Sequence, residues 1–296
     1  MNPGEPPAAP PAMPADGQAA SIPVSGTQIA DFVVQRPLGA GGSFLLATSP
    51  DRLRTGPHDA GEQVVLKVFP ADASGDEPTA FETLSAALQS IAAVRSPYLV
   101  QLIEAGRNAG LVYCAMEYVD GGSLAAPERQ LTFAEVLEAV ANAARGAHAM
   151  HEAGIPHRNI HPSGIILGSA GTKLSDPGLA SYLNPGMTLT GRLGVPKVDF
   201  ISPEIIRGMP ASRATDLWSL GATLHYVASG DSLFPQLDQS NPVAALSAVL
   251  HTPPQISPGL PAPIEQIVRA CLFTDAPDRP STAGDLADRL DALWKR

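Results

Sequence analysis

Cysteine is scarce in this sequence: Cys114 and Cys271 are the only two among 296 residues. So few thiols supply no disulfide framework, and a reducing cytoplasm is the expected setting. Cys114 falls in an apolar run and Cys271 in a helical stretch, where each is expected as a small buried hydrophobe. A basic block is missing too. Nineteen Lys and Arg stand against 29 Asp and Glu, a formal charge of −10, which disfavours nucleic acid and anionic membrane surfaces as partners. No apolar run reaches the roughly 18 residues a membrane span needs. The N-terminus lacks the basic-then-apolar pattern of a signal peptide. No internal repeat is found.

The length suits one large domain or two lobes around a sizeable core. Residues 1–28 are rich in Pro, Ala and Gly and hold almost no large apolar side chains. Such a segment cannot offset its ordering entropy and is expected as a disordered tail. From Asp31 the pattern changes. The runs "DFVVQRPL", "FLLAT" and "EQVVLKVF" concentrate Val, Leu and Phe between Gly, Pro and Asp, which predicts three strands. Residues 49–62, between the second and third runs, read as a long surface hairpin loop. "TAFETLSAALQSIAAV" repeats apolar residues at 3–4 spacing and predicts a helix. "LVQLIEAG" and "LVYCAMEYV" predict two more strands.

After "DGGSL" helical patterns dominate. Thr132 and Glu135 form a capping-box pattern at the head of one that stops at Gly154. Four more follow, within residues 213–230, 242–250, 261–273 and 282–295. The expectation is an α+β protein of two lobes around a cleft: a β-rich lobe over 29–120 and a mainly helical lobe over 121–296.

Several short motifs now fall into place. "LGAGGSFLL" is a glycine-rich turn between strands, "VVLK" ends a strand on Lys67, and "CAMEYVDGGSL" joins the two halves. "PHRNIHPSG", "SDPG", "SPE", "DLWSLG" and "DAPDRPS" follow in order. Together they resemble the eukaryotic-type (Hanks-type) Ser/Thr protein kinase family, over about residues 31–296. That resemblance implies a bilobal kinase fold and assigns nucleotide-binding roles to Gly39, Gly41, Lys67, Glu117, Val119 and Asp176. It places Met116 at the gatekeeper position, Asp176 as a metal ligand and Glu204 as the partner of Arg279.

Against the family pattern H-R-D-x-K-P-x-N, this loop departs at three positions. Asn159 replaces the Asp that accepts the substrate hydroxyl's proton, and a carboxamide is not a base. His161 replaces the Lys that faces the phosphate; it is mostly neutral at pH 7 and shorter. Gly164 replaces the Asn that binds the second Mg²⁺. Elsewhere Phe44 stands at the third glycine of the loop, Val65 adds bulk over adenine, and Pro177 replaces the aromatic of D-F-G. The helix position that pairs with Lys67 falls on Ala87, and Glu82 serves only if the register shifts. Thr188 and Thr190 are read as ordinary loop residues or phosphate acceptors.

The resulting expectation is a pseudokinase: a protein-binding or allosteric signalling module with little or no phosphoryl transfer. ATP binding is expected to be weak, Mg²⁺ is not expected to be required, and the partner is another protein, a signalling partner or kinase. Two alternatives stay open. One is a slow or atypical Ser/Thr kinase using ATP, and the other a pure scaffold whose nucleotide cleft is occluded.

Overall fold

The computed structural model describes residues 25–39, 43–54, 61–70, 77–178, 195–237 and 241–295. The small lobe is a sheet of six antiparallel strands. They are β1 (Gln28–Ile29), β2 (Phe32–Leu38), β3 (Phe44–Thr48), β4 (Gln63–Pro70), β5 (Leu102–Asn108) and β6 (Leu111–Glu117), in the order β1-β2-β3-β4-β6-β5. Side chains alternate across a strand, and β4 shows what that decides. Val64, Leu66 and Val68 enter a core with Phe32, Val34, Leu45 and Ala115. Val65, Lys67 and Phe69 therefore face the other way, into a cleft.

Helix α1 (Asp51–Arg54) lies within the segment expected as a plain hairpin loop. Arg52 fixes it by bonding Asp31 at 2.6 Å and Glu104 at 2.5 Å. Helix α2 (Glu77–Ala93) buries Leu88 and Ile91 in a core shared with Val112 and Cys114. The strand expected from Leu99 begins only at Leu102. The backbone of 98–100 is engaged elsewhere: Leu174 N donates to Tyr98 O at 2.8 Å and Val100 N to Leu174 O at 2.9 Å.

A second, four-stranded sheet stands where the lobes meet. It comprises β7 (Gly122–Ser123), β8 (Ala126–Pro127), β9 (Ile165–Ile166) and β10 (Lys173–Leu174), in the order β10-β9-β7-β8. Its pairings hold the chain after β6 against the loop that follows Gly164.

The large lobe is built on α3 (Phe133–Glu152). Thr132 and Glu135 form the expected capping box, and Gly154 at φ +75° lies just beyond the helix end. Leu137, Val140, Ala144, Ala147 and Met150 supply its buried face. After α4 (Pro203–Ile206), helix α5 (Arg213–Ser229) runs through the core and ends at Gly230 in the left-handed region. Then come α6 (Pro242–His251), α7 (Ala262–Cys271) and α8 (Ala283–Trp294). Gly221 lets α5 meet α7, because a Cβ there would stand 2.4 Å from Cys271 Cβ. Both cysteines are free and buried, and burial pushes each thiol up to about 12. Among the described residues no helix is long and apolar enough to cross a membrane.

Candidate functional site

A cleft of about 1370 Å³ lies between the lobes. Gly39, Val65, Lys67, Met116, Glu117 and Val119 line it from one side, and Asn159, His161, Gly164 and Asp176 from the other. Every expected site residue that the structure describes is thus in one place. Gly41, Thr188 and Thr190 lie outside the described residues.

Lys67 is 7% exposed and ion-paired with Asp176 Oδ1. Its ammonium lies 5.0 Å from the Phe44 ring and 5.2 Å from the Phe69 ring, so two aromatic faces take up part of its charge. Phe44 is directly opposite Lys67 in the β3–β4 ladder, and Phe69 is two residues along the same strand face. Glu82 is exposed and Ala87 is half-buried. The carboxylate that meets Lys67 comes from the large lobe.

Asp176 is as enclosed as its partner. Asn159 Nδ2 donates to Asp176 Oδ2 at 3.0 Å and also contacts its backbone oxygen at 3.2 Å. Burial opposes ionisation of this carboxyl. The Lys67 ammonium, by its charge and its hydrogen bond, outweighs that, and His161 and His157 add to it, so the carboxyl sits below the ordinary range. The backbone here is tight: Asp176 has φ +61°, and Gly178 N donates to Asp176 O at 2.7 Å across Pro177. Gly178 cannot be enlarged freely. At φ +50°, its Cβ would lie 2.8 Å from Arg158 Cβ.

The loop carrying Asn159 is held from below by Asp216 at the head of α5. His157 N and Arg158 N donate to its two carboxylate oxygens at 2.6 and 2.8 Å, and His151 Nε2 lies 2.8 Å away. This clamp holds Arg158 at φ +72°, a conformation that costs a non-glycine residue about 1–3 kcal/mol. Burial pushes the His157 imidazole down to about 4, with Asp216 and Asp176 partly opposing. Farther down, Arg279 meets Glu204 at 2.6 Å, as the motifs implied, and also bonds Phe273 O and Ala214 O.

Besides the Lys67–Asp176 pair, two features were not anticipated. Lys173 ion-pairs with Glu117, joining β10 to the end of β6; nothing local in the sequence signals a pair so far apart. Asn159 is a donor to Asp176, which the chemistry of an amide facing a carboxylate could have suggested.

The divalent cation implied by this kind of site can be tested against the donors present. Asp176 is the carboxylate at the ligand position, and both of its oxygens already accept hydrogen bonds. Gly164 offers no side chain. Among the described residues no cluster of three His, Cys, Asp or Glu side chains could hold a metal. The donor set does not fit a divalent cation. The apolar wall at Val65 and Met116 does suit the base of a nucleoside.

A six-stranded antiparallel lobe over a helical lobe, with this cleft between them, defines the protein-kinase fold. Residues 53–290 match the protein kinase domain family, and the chain belongs to it. It is 28% identical over 277 residues to "Serine/threonine-protein kinase PknJ" of Mycobacterium tuberculosis, covering 89% of this chain and 45% of that protein. It is 29% identical over 255 residues to "Probable serine/threonine-protein kinase PkwA" of Thermomonospora curvata, covering 84% and 32%. The chain thus spans less than half the length of these curated relatives. The crystal structure of the Mycobacterium tuberculosis PknI kinase domain, C20A mutant, superposes with a TM-score of 0.65 at 23% identity, covering 91% of this chain and 98% of that one.

Proposed function

We propose that this domain is a pseudokinase, a protein-binding or allosteric signalling module with little or no phosphoryl transfer and at most weak nucleotide binding. One observation carries the reading. The residue at the catalytic-base position, Asn159, presents its amide N–H to Asp176, and a carboxamide there accepts no proton from a substrate hydroxyl. His161 supplies a ring in place of a long cation, and Gly164 supplies no ligand. Loss of the base alone typically lowers the rate by about 10²–10⁴-fold.

In this reading Gly39, Lys67, Glu117, Val119 and Asp176 frame what remains of the nucleotide site, and the resemblance adds Gly41, which lies outside the described residues. The small lobe spans 29–120, the large lobe 121–296 serves as the binding platform, and residues 1–28 form a tail. The partner is another protein in a cytoplasmic setting, in keeping with two free, buried cysteines. A second reading, a slow or atypical Ser/Thr kinase, draws on the retained Lys67 and Asp176 and on the names of the relatives. Incorporation of radiolabelled phosphate from ATP into the protein itself and into generic substrates separates the two. No incorporation above that of Lys67→Ala and Asp176→Ala is expected. Incorporation that vanishes in both variants, each shown to be folded, would establish the second reading.

A further inference from the structure

We propose that Asn159 determines what the cleft accepts: by holding Asp176 against Lys67 it closes the divalent-cation position, so the cleft takes a nucleoside or nucleotide that carries no metal. The proposal rests on the reading above that a weak nucleotide site remains.

The argument starts from lone pairs. An ionised carboxylate only accepts hydrogen bonds, so an amide 3.0 Å from Asp176 Oδ2 must present its nitrogen. The other oxygen, Oδ1, takes the Lys67 ammonium. A divalent cation approaching Asp176 therefore meets an ammonium on one side and the positive end of an amide dipole on the other. It would have to displace both from a carboxylate that is 8% exposed. Mg²⁺ sheds its own waters reluctantly and binds through carboxylates, and a lone, engaged carboxylate does not repay that cost. Lys67 is engaged as well, paired with Asp176 and flanked by Phe44 and Phe69. With its charge committed, phosphates on a ligand gain little attraction. Recognition then falls to the apolar wall around Val65 and Met116.

An Asp at position 159 would reverse this. A second carboxylate beside Asp176 repels the first and attracts a cation, so the same geometry would become a two-carboxylate site.

The test combines a thermal-shift series with a direct Mn²⁺ titration read by electron paramagnetic resonance. Wild type is expected to shift equally with adenosine and ADP, and equally in EDTA and in Mg²⁺. It should bind Mn²⁺ weakly at most, and Asn159→Asp should bind Mn²⁺ at least about tenfold more tightly. If the added carboxylate prevents folding, Asn159→Ala frees Oδ2 without adding charge and should still bind Mn²⁺ more tightly than wild type. Equal Mn²⁺ affinities in wild type and the folded variant would overturn the role of Asn159. A wild-type ADP shift that grows with Mg²⁺, or no shift with either ligand, would overturn the ligand class. Phosphate transfer is read separately. Transfer by wild type contradicts the inactive-kinase reading, while an Mg²⁺ effect on ADP binding without transfer contradicts only this proposal.

Discussion

Asn159 and Asp176 are a donor–acceptor pair, with Nδ2 3.0 Å from Oδ2. The first belongs to the loop where a kinase keeps its base, the second to the segment where it keeps a metal ligand. Each occupies the other. Lys67 completes the cluster from the small lobe, so the ammonium and the carboxylate at its centre satisfy one another.

That closure bears on Lys67 itself. A solvent-facing lysine could be truncated at little cost. Here Lys67 and Asp176 are both buried, and Lys67→Ala leaves a carboxylate with only an amide partner. Breaking one side of a buried ion pair costs about 3–5 kcal/mol. Urea denaturation should show a loss in that range, partly relieved in Lys67→Ala/Asp176→Asn; an unchanged midpoint would mean that the pair is not formed in solution.

The same reasoning applies with more force to Glu204 and Arg279. The Arg279 side chain is 0% exposed, lies 5.2 Å from the Trp218 ring and bonds three backbone carbonyls besides Glu204. Arg279→Ala should destabilise the protein by about 3–5 kcal/mol, a large part of a typical 5–15 kcal/mol. Arg279→Lys should recover little, since one ammonium cannot reproduce the planar fork. A loss below about 1 kcal/mol, as for an exposed pair, would contradict the assignment.

Much of the fold is legible in the sequence because it rests on local pattern. The strands at β2, β3, β4 and β6 follow from clustered Val, Leu and Phe, and the capping box at Thr132 and Glu135 begins α3 where expected. What is not legible depends on contacts between distant segments. Leu99 reads as strand, yet residues 98–100 hydrogen-bond to Leu174, and this displaces the start of β5. In the cleft, the residue types at positions 67, 159 and 176 are readable, but their mutual pairing is not. Sequence shows that Lys67 lacks a helix Glu at Ala87; only the folded chain shows which carboxylate replaces it.

His157 makes stability depend on pH. Its imidazole is fully buried and pushed down to about 4 from an ordinary 6.5. Above pH 6.5 it is neutral whether the chain is folded or unfolded, and its contribution is complete. As the pH falls from 6.5 through about 4, the unfolded chain takes up a proton that the folded one refuses, so stability is lost over that window. The gap sets a loss of up to about 3 kcal/mol. Denaturation midpoints measured from pH 7 to pH 4 should fall, and His157→Leu should flatten the fall relative to wild type. Parallel slopes would show that His157 does not control it.

The most direct measurement is the rate of phosphate transfer from ATP by wild type, by Asn159→Asp, and by a triple variant carrying Asn159→Asp, His161→Lys and Gly164→Asn. The last substitution starts without a clash, since a Cβ at Gly164 would come no closer than 3.4 Å to a neighbouring atom. Wild type is expected to show no transfer, the single variant almost none, and the triple variant a rise toward the roughly 10²–10⁴-fold that a positioned base supplies. A wild type that transfers phosphate as fast as the triple variant would contradict the account.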